Sequence, residues 1–440
     1  MNPNSIKPSS HIGFGSATLV IIASMVGTGV FTTSGFLIRD LSSIWSIIIA
    51  WLVGGLFALT GALSYAELVT SIPGNGGEYK LLSKIYTPSI GFIAGWISLI
   101  VGFGAPVAAA SLAFGHYFCA ITPATSPLIA AITILTILSV LHGGWLVIAE
   151  NIQNIFTVIK LILIFIFIVS GFWYGNYEYL NIDKSSDILN SMFSPSFAVG
   201  LIYISFAYSG WNGAAYIAGE IKNPTKSLPK AFFVGTAVVV MIYLGLNIVF
   251  FISAPKQMLA GVVEIGYVAA VNLFGQKAGL LLSGLIAMAL ISSISAMIMV
   301  GPRVYEQMGI DYSKLSFLKY RTAKNGPAAA VALQFLIAAI MILTTTFESL
   351  LAYIGYLLAL SAGLTVTGLL ILRIKQPRLK RPYKIIAYPV TPLIFIGLCT
   401  WMVVHAIFEK PFIAIMGIVT IGTGLLLYAV IKNSKQTEKN

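Results

Sequence analysis

The chain has 440 residues, of which 58% are hydrophobic and only 9% charged. Soluble globular chains carry about 25% charge, so this composition excludes a soluble enzyme or binding module and indicates a protein dissolved in lipid. The formal net charge of +12 does not point to nucleic acid, because the basic residues stand in short connections between apolar runs, as membrane topology requires.

Apolar runs of about 20 residues, each able to cross ~30 Å of hydrocarbon, recur along the whole length. Twelve helices are expected, at residues 12–37, 43–71, 85–119, 125–146, 148–174, 194–218, 229–253, 265–301, 327–345, 348–372, 386–408 and 411–432. The fold class is therefore all-α integral membrane, with residues 1–440 as one polytopic domain. Residues 1–11 are polar and no small-residue cleavage site follows a compact apolar core, so the first span is expected to be retained. Gly76-Gly77, ahead of Glu78, and Pro88 punctuate the second connection. Spans three and eight exceed a minimal crossing, and tilt or an extension beyond the bilayer is expected of both. The polar stretch 175–194, with Asp183 and Asp187, reads as an external loop. Cys119 and Cys399 stand far apart in apolar surroundings and read as packing residues. The four histidines, His11, His116, His142 and His405, lack metal-ligand spacing. Neither a metal nor a cofactor is expected.

Lysine and arginine in alternate connections number 20 on one side and 5 on the other, with Lys160 inside a span. The side rich in positive charge faces the cytoplasm. Both termini are therefore expected on the cytoplasmic side of the cytoplasmic membrane, which requires an even number of crossings.

Within span one, Ser24-Met25-Val26-Gly27-Thr28-Gly29-Val30-Phe31 puts two glycines and a small hydroxyl residue where an unbroken helix would carry leucine. A membrane helix can open only where protein or a cavity covers the freed amides and carbonyls. A second interruption, Phe206-Ala207-Tyr208-Ser209-Gly210-Trp211-Asn212-Gly213, lies in span six. Interrupted helices at matching places in two halves point to a transport site near the midplane. Spans 1–5 and 6–10 then form two five-helix repeats of opposite topology, about 12–174 and 194–372. The last two helices, about 386–432, fall outside them.

At this point the chain resembles the amino acid–polyamine–organocation (APC) permeases. Gly27-Thr28-Gly29-Val30-Phe31 resembles that family's G-[SA]-G-I-F signature. Phe206 through Asn212, then Gly219-Glu220-Ile221-Lys222-Asn223-Pro224 and Leu228-Pro229-Lys230-Ala231, is similar to its F-A-Y-x-G-W-[ND] and E-I-K-N-P-x-x-x-L-P-[RK]-A motifs. Pro377 through Arg381-Pro382-Tyr383-Lys384 to Pro389 is like its connection between helices 10 and 11. The resemblance covers nearly the whole chain and is nearest to bacterial relatives of the L-type amino-acid transporters. It implies the LeuT-type fold, with helices 1 and 6 broken, and alternating access for an amino acid or amine.

On this resemblance the substrate-binding residues are Met25, Val26, Gly27, Thr28, Gly29, Phe206, Ala207, Ser209, Gly210 and Trp211. Amides of the first break would receive a carboxylate at a positive half-helix end. Carbonyls of Met25, Phe206 and Ser209 would receive the ammonium. Phe206 is the expected gate, and Trp211 is expected to shape the pocket. The bland alternative is that these small residues serve close helix packing.

Lys160 lies about 12 residues into span five, roughly 18 Å from its cytoplasmic start at 1.5 Å per residue. From there its ammonium cannot readily snorkel to the headgroups. The resemblance puts it where sodium-coupled members of this fold hold an ion bridging helices one, five and eight, so it reads as a built-in cation. Burial disfavours the charged form of a lysine, which also makes it a candidate proton carrier. A purely structural pairing with buried carbonyls is the alternative. Ser292, Ser293 and Ser295 are weaker candidates beside it, since membrane serines commonly bond their own helix.

Glu67 is expected to pair structurally with a loop lysine or a helix end. Glu220 should pair with basic loop residues, and Glu348 should lie at the outer membrane edge. The basic connection 373–384 is expected to face anionic lipid. The combined reading is a sodium-independent secondary transporter of amino acids, working by proton symport or exchange. Neutral substrates are favoured because no acidic residue stands near either break in the sequence. The partners are the amino acid and the lipid bilayer, with oligomeric state open. The rivals are a polyamine or cationic amino-acid antiporter and an amino-acid-sensing receptor without flux. A membrane enzyme would need a nucleophile–base pair or metal cluster, and a channel a continuous polar stripe. Neither pattern is visible.

Overall fold

The computed structural model describes residues 13–41, 43–72, 77–144, 149–180, 185–216, 218, 221–322 and 326–434; side chains of 149–157, 185–187 and 434 are outside the description. The described chain is helical throughout, without a β-strand. The first half contains α1 (Phe14–Met25), α2 (Thr33–Asp40), α3 (Ile44–Ser71), α4 (Gly77–Ile85), α5 (Pro88–Ile121), α6 (Pro127–Gly144), α7 (Ala149–Tyr174) and α8 (Ser185–Met192). The second contains α9 (Pro195–Ala207), α10 (Gly213–Tyr216), α11 (Pro224–Ser253), α12 (Lys256–Leu259), α13 (Ile265–Phe274), α14 (Gln276–Asp311), α15 (Ala328–Thr344), α16 (Phe347–Lys375), α17 (Val390–Glu409) and α18 (Pro411–Ile431).

Among the described residues, eight helices are long and apolar enough to cross a membrane: α3, α5, α6, α11, α14, α16, α17 and α18. Shorter apolar helices, α1, α9, α13, α15 and the described part of α7, complete the bundle. Local chemistry sets several starts. The hydroxyls of Thr87, Ser194 and Thr346 accept from the amides of Ile90, Phe197 and Ser349, and Pro88 and Pro195 occupy first helical positions. There the missing N–H costs nothing and the fixed φ favours the helix.

Two expectations about long spans divide. Span three is one continuous 34-residue helix, α5, with a π-helical turn at Ser98–Gly104. Span eight is not one helix. The chain reverses at Gly275, whose φ is +87°, and α13 folds back against α14, which runs on to Asp311. Gly275-Gln276-Lys277 interrupts the apolar run there, a turn signal that the span reading passed over. Of the predicted external loop, Asp183 and the side chain of Asp187 lie outside the described residues. The rest holds a short 3₁₀ turn, Tyr177–Leu180, and α8.

The bundle centres on the two interrupted helices. α11 packs along α3 and α1, α14 along α5, and α9 against α16, α3 and α17. These contacts bury large aromatic side chains, including Trp51, Tyr203, Tyr208 and Tyr243, deep between helices.

Candidate functional site

α1 stops at Met25. The amide of Val26 still reaches back to Ile22 (2.9 Å), and that of Gly27 closes a tight turn on the Met25 carbonyl (2.8 Å). The chain resumes as a 3₁₀ turn, Gly29–Phe31, with no capping side chain, and continues as α2. The opening amides of such a turn have no partner within it. α9 stops at Ala207. The Ser209 amide closes on the Phe206 carbonyl (2.9 Å), and Gly210 takes a φ of +99° before α10 begins.

The two breaks meet. A Cβ on Gly29 would lie 2.3 Å from the Ala207 Cα, and a Cβ on Gly210 would lie 2.4 Å from the Ser24 carbonyl oxygen. Any larger side chain at either glycine would drive the broken helices apart. Close packing and an open backbone are thus the same feature here.

Lys160 is buried, 8% exposed, and its Nζ donates to the Val26 carbonyl inside the first break. The ammonium of α7 therefore reaches a backbone oxygen freed by the interruption. Lys160 also borders an apolar cavity lined by Phe31, Phe167, Phe250, Leu282 and Ile286, on the side of α7, α11 and α14. Ser293 bonds its own helix at Ala289, and Ser295 lies 2.7 Å from the ring nitrogen of His142.

The predicted site residues separate into two groups. Met25 through Gly29 and Ala207 through Gly210 are brought together. Two of the three carbonyls expected to receive an ammonium already have donors: Met25 accepts from Gly27 and Tyr243, and Phe206 from Ser209. Phe206 is buried beside the junction. Trp211 lies edge-on to Tyr65 with centroids 4.8 Å apart and to Phe395 at 5.9 Å, so it packs between helices.

Residues 12–430 match the family model described as amino acid permease. The chain belongs to the amino acid permease family. It is a member of the APC superfamily, as the three motifs implied. This permease is 26% identical over 429 residues to the large neutral amino acids transporter small subunit 2 of Oryctolagus cuniculus, covering 95% of this chain and 79% of that one. It is 27% identical over 418 residues to the b(0,+)-type amino acid transporter 1 of Mus musculus, covering 91% and 83%. It is 27% identical over 433 residues to the Asc-type amino acid transporter 1 of Mus musculus, covering 95% and 80%.

The permease also uses residues that the sequence reading missed. The Tyr243 hydroxyl lies 2.6 Å from the Met25 carbonyl and 3.0 Å from that of Ala207, touching both breaks from α11. One turn on, Asn247 meets the Ser34 hydroxyl, which also accepts from Trp51 Nε1 (3.1 Å). The signal was a Tyr-x-x-x-Asn pair on one helical face inside an apolar span, where polar groups are costly unless they serve structure or function.

Two electrostatic expectations change. Glu67 is fully buried and receives Arg373 at 2.8 and 2.6 Å, Arg381 at 3.5 Å and the Ile385 amide at 2.7 Å. Two arginines of the basic connection thus turn inward to a carboxylate, and Arg373 also covers the Tyr388 ring at 3.7 Å. That connection is not simply lipid-facing, because an unpaired carboxylate buried beside it would be far more costly. An acidic residue also does reach the second break: Glu78 Oε1 lies 3.3 Å from Asn212 Nδ2. Glu348 receives Arg39 through two bonds of 3.0 Å, Tyr203 at 2.9 Å and Lys410 at 3.3 Å. Glu220 lies outside the described residues.

Proposed function

We propose that this permease moves neutral amino acids across the cytoplasmic membrane without sodium, by alternating access around the junction of its two broken helices. Twelve crossings, two inverted five-helix repeats and cytoplasmic termini complete the reading. The bias of basic residues and the paired interruptions support it. The names of the relatives, which include a large neutral amino acids transporter subunit, agree with a neutral substrate. The uncapped start of the 3₁₀ turn at Gly29 is the candidate carboxylate site.

The observation that carries the sodium-independent reading is the Lys160 ammonium on the Val26 carbonyl. A fixed cation there performs the task of a bound metal ion, holding the opened backbone of the first break against α7. On the outer side, Arg39, Glu348 and Tyr203 link α2, α16 and α9, in keeping with a state whose outer entrance is closed.

The test is labelled amino-acid uptake into proteoliposomes, with an inward proton gradient or with preloaded unlabelled amino acid, for wild type and Lys160→Ala. Gradient-driven uptake lost in the variant supports proton symport through Lys160. Uptake that needs internal substrate supports exchange with a structural lysine. Stimulation by sodium overturns the built-in cation, and binding without flux overturns the transporter reading.

A further inference from the structure

Glu78 is a buried carboxylate that the transport reading leaves without a task. It sits in the first turn of α4 and is 4% exposed. Oε1 accepts from the Tyr65 hydroxyl of α3 at 2.7 Å and from Asn212 at 3.3 Å, and Oε2 from the Ser361 hydroxyl of α16 at 2.5 Å. It thereby ties three elements together, one of them the inner arm of the second broken helix, two residues past Gly210.

Its surroundings differ in kind from those of Glu67. Among the described residues no lysine or arginine forms an ion pair with Glu78. The titratable groups facing it are the phenols of Tyr65 on α3 and Tyr216 on α10. On α3, Glu67 is held by Arg373 and Arg381; on α4, Tyr79 bonds Asp311 of α14, and Lys80 and Lys84 are half-buried and exposed. From α16 it meets the uncharged Ser361, while Arg373 of that helix serves Glu67. Protonating Glu67 would strand two arginines. Protonating Glu78 strands no charge, and burial raises its pKa from the usual carboxylate range against the pull of its three donors.

We propose that Glu78 is a proton-binding site, separate from Lys160, whose protonation releases the inner arm of the second broken helix. The idea rests on the transporter reading for its consequence, though not for the site itself. The ionised carboxylate accepts from all three donors. A proton taken from water binds Oε1, which then donates; the Tyr65 hydroxyl can reverse and accept, whereas Asn212 Nδ2, a donor only, cannot. The Asn212 bond is the longest and shares its oxygen with Tyr65, so it is the one given up. The inner arm then loses its hydrogen-bonded link, through Glu78, to α3 and α16, while Trp211 stays packed on Tyr65.

The site is read without substrate by infrared difference spectroscopy of the full-length protein in lipid nanodiscs during a pH titration. A protonated-carboxyl band should titrate above the ordinary glutamate value of about 4.3 and vanish in Glu78→Gln. In proteoliposomes, wild-type exchange should rise with acidity, by at most about tenfold per pH unit for a single proton. Glu78→Gln should run at the acid rate at every pH. Asn212→Ala should also flatten the profile while keeping the band. A band that persists in Glu78→Gln, or a variant with the wild-type profile, overturns the proposal. Should Glu78→Gln fail to fold, Ser361→Ala, which removes a donor to the ionised form, must raise the midpoint; an unmoved midpoint overturns it. A titrating band in a protein that shows no flux supports the proton site and overturns the transporter reading.

Discussion

Gly29→Ala offers the sharpest test of the junction between the breaks. The added Cβ would stand 2.3 Å from the Ala207 Cα, 2.6 Å from its Cβ and 3.2 Å from its amide nitrogen. Carbon atoms pack best at about 3.5–4.0 Å, so the two breaks must separate by more than about 1 Å. The obstacle is backbone, which cannot swing aside as a flexible side chain would. Overpacking of this kind costs about 1–3 kcal/mol, enough to depopulate the packed state about 5- to 150-fold if another state escapes the clash. Transport that cycles through this state should slow by a similar factor, measured as exchange rate in proteoliposomes at matched protein incorporation. Ala207→Gly in the same chain should restore only part of the rate, because it removes the 2.6 Å contact and leaves the one to Cα. Wild-type exchange in Gly29→Ala would refute the idea that transport passes through close contact of the breaks.

Tyr243→Phe removes the hydroxyl shared by the Met25 and Ala207 carbonyls. Met25 keeps the Gly27 amide, but leaving the buried Ala207 carbonyl without this donor costs about 1–3 kcal/mol, so substrate affinity or turnover should change about 5- to 150-fold, read by binding of labelled amino acid alongside exchange; an unchanged pair of values rules out a working role. Glu67→Gln strips a buried carboxylate from two arginines, and breaking such a group costs about 3–5 kcal/mol. Its melting temperature in detergent should fall clearly, and a melting curve equal to wild type would exclude the pairing as a support of the fold. Arg39→Ala opens a link whose side chains are 43% and 23% exposed, so solvent screening limits it to about 0.2–1 kcal/mol. Thiol labelling of a cysteine placed behind it should accelerate by about fivefold at most, and a larger change would mean that Arg39 does more than latch the outer side.

Much of this molecule was legible along the chain. Hydrophobic run lengths marked an all-helical membrane chain because the bilayer thickness leaves little alternative. Gly29 and Gly210 announced the breaks because only residues without a large side chain tolerate an opened helix beside another backbone. Lys160 stood out because a mid-span charge must find a partner. What that partner was, however, depended on tertiary structure: the Val26 carbonyl lies 134 residues away in sequence. The same holds for Tyr243 across both breaks, Arg373 and Arg381 on Glu67, and Glu78 at Asn212. The reversal at Gly275 had a local signal in Gly275-Gln276-Lys277, but only the packing of α13 on α14 shows the chain folding back. Local chemistry is written in neighbouring residues and the solvent they face, so the sequence by itself determined the all-helical membrane character, the breaks and the anomalous charge. The pairing of buried polar groups depends on which helices meet, and only the folded bundle decided that.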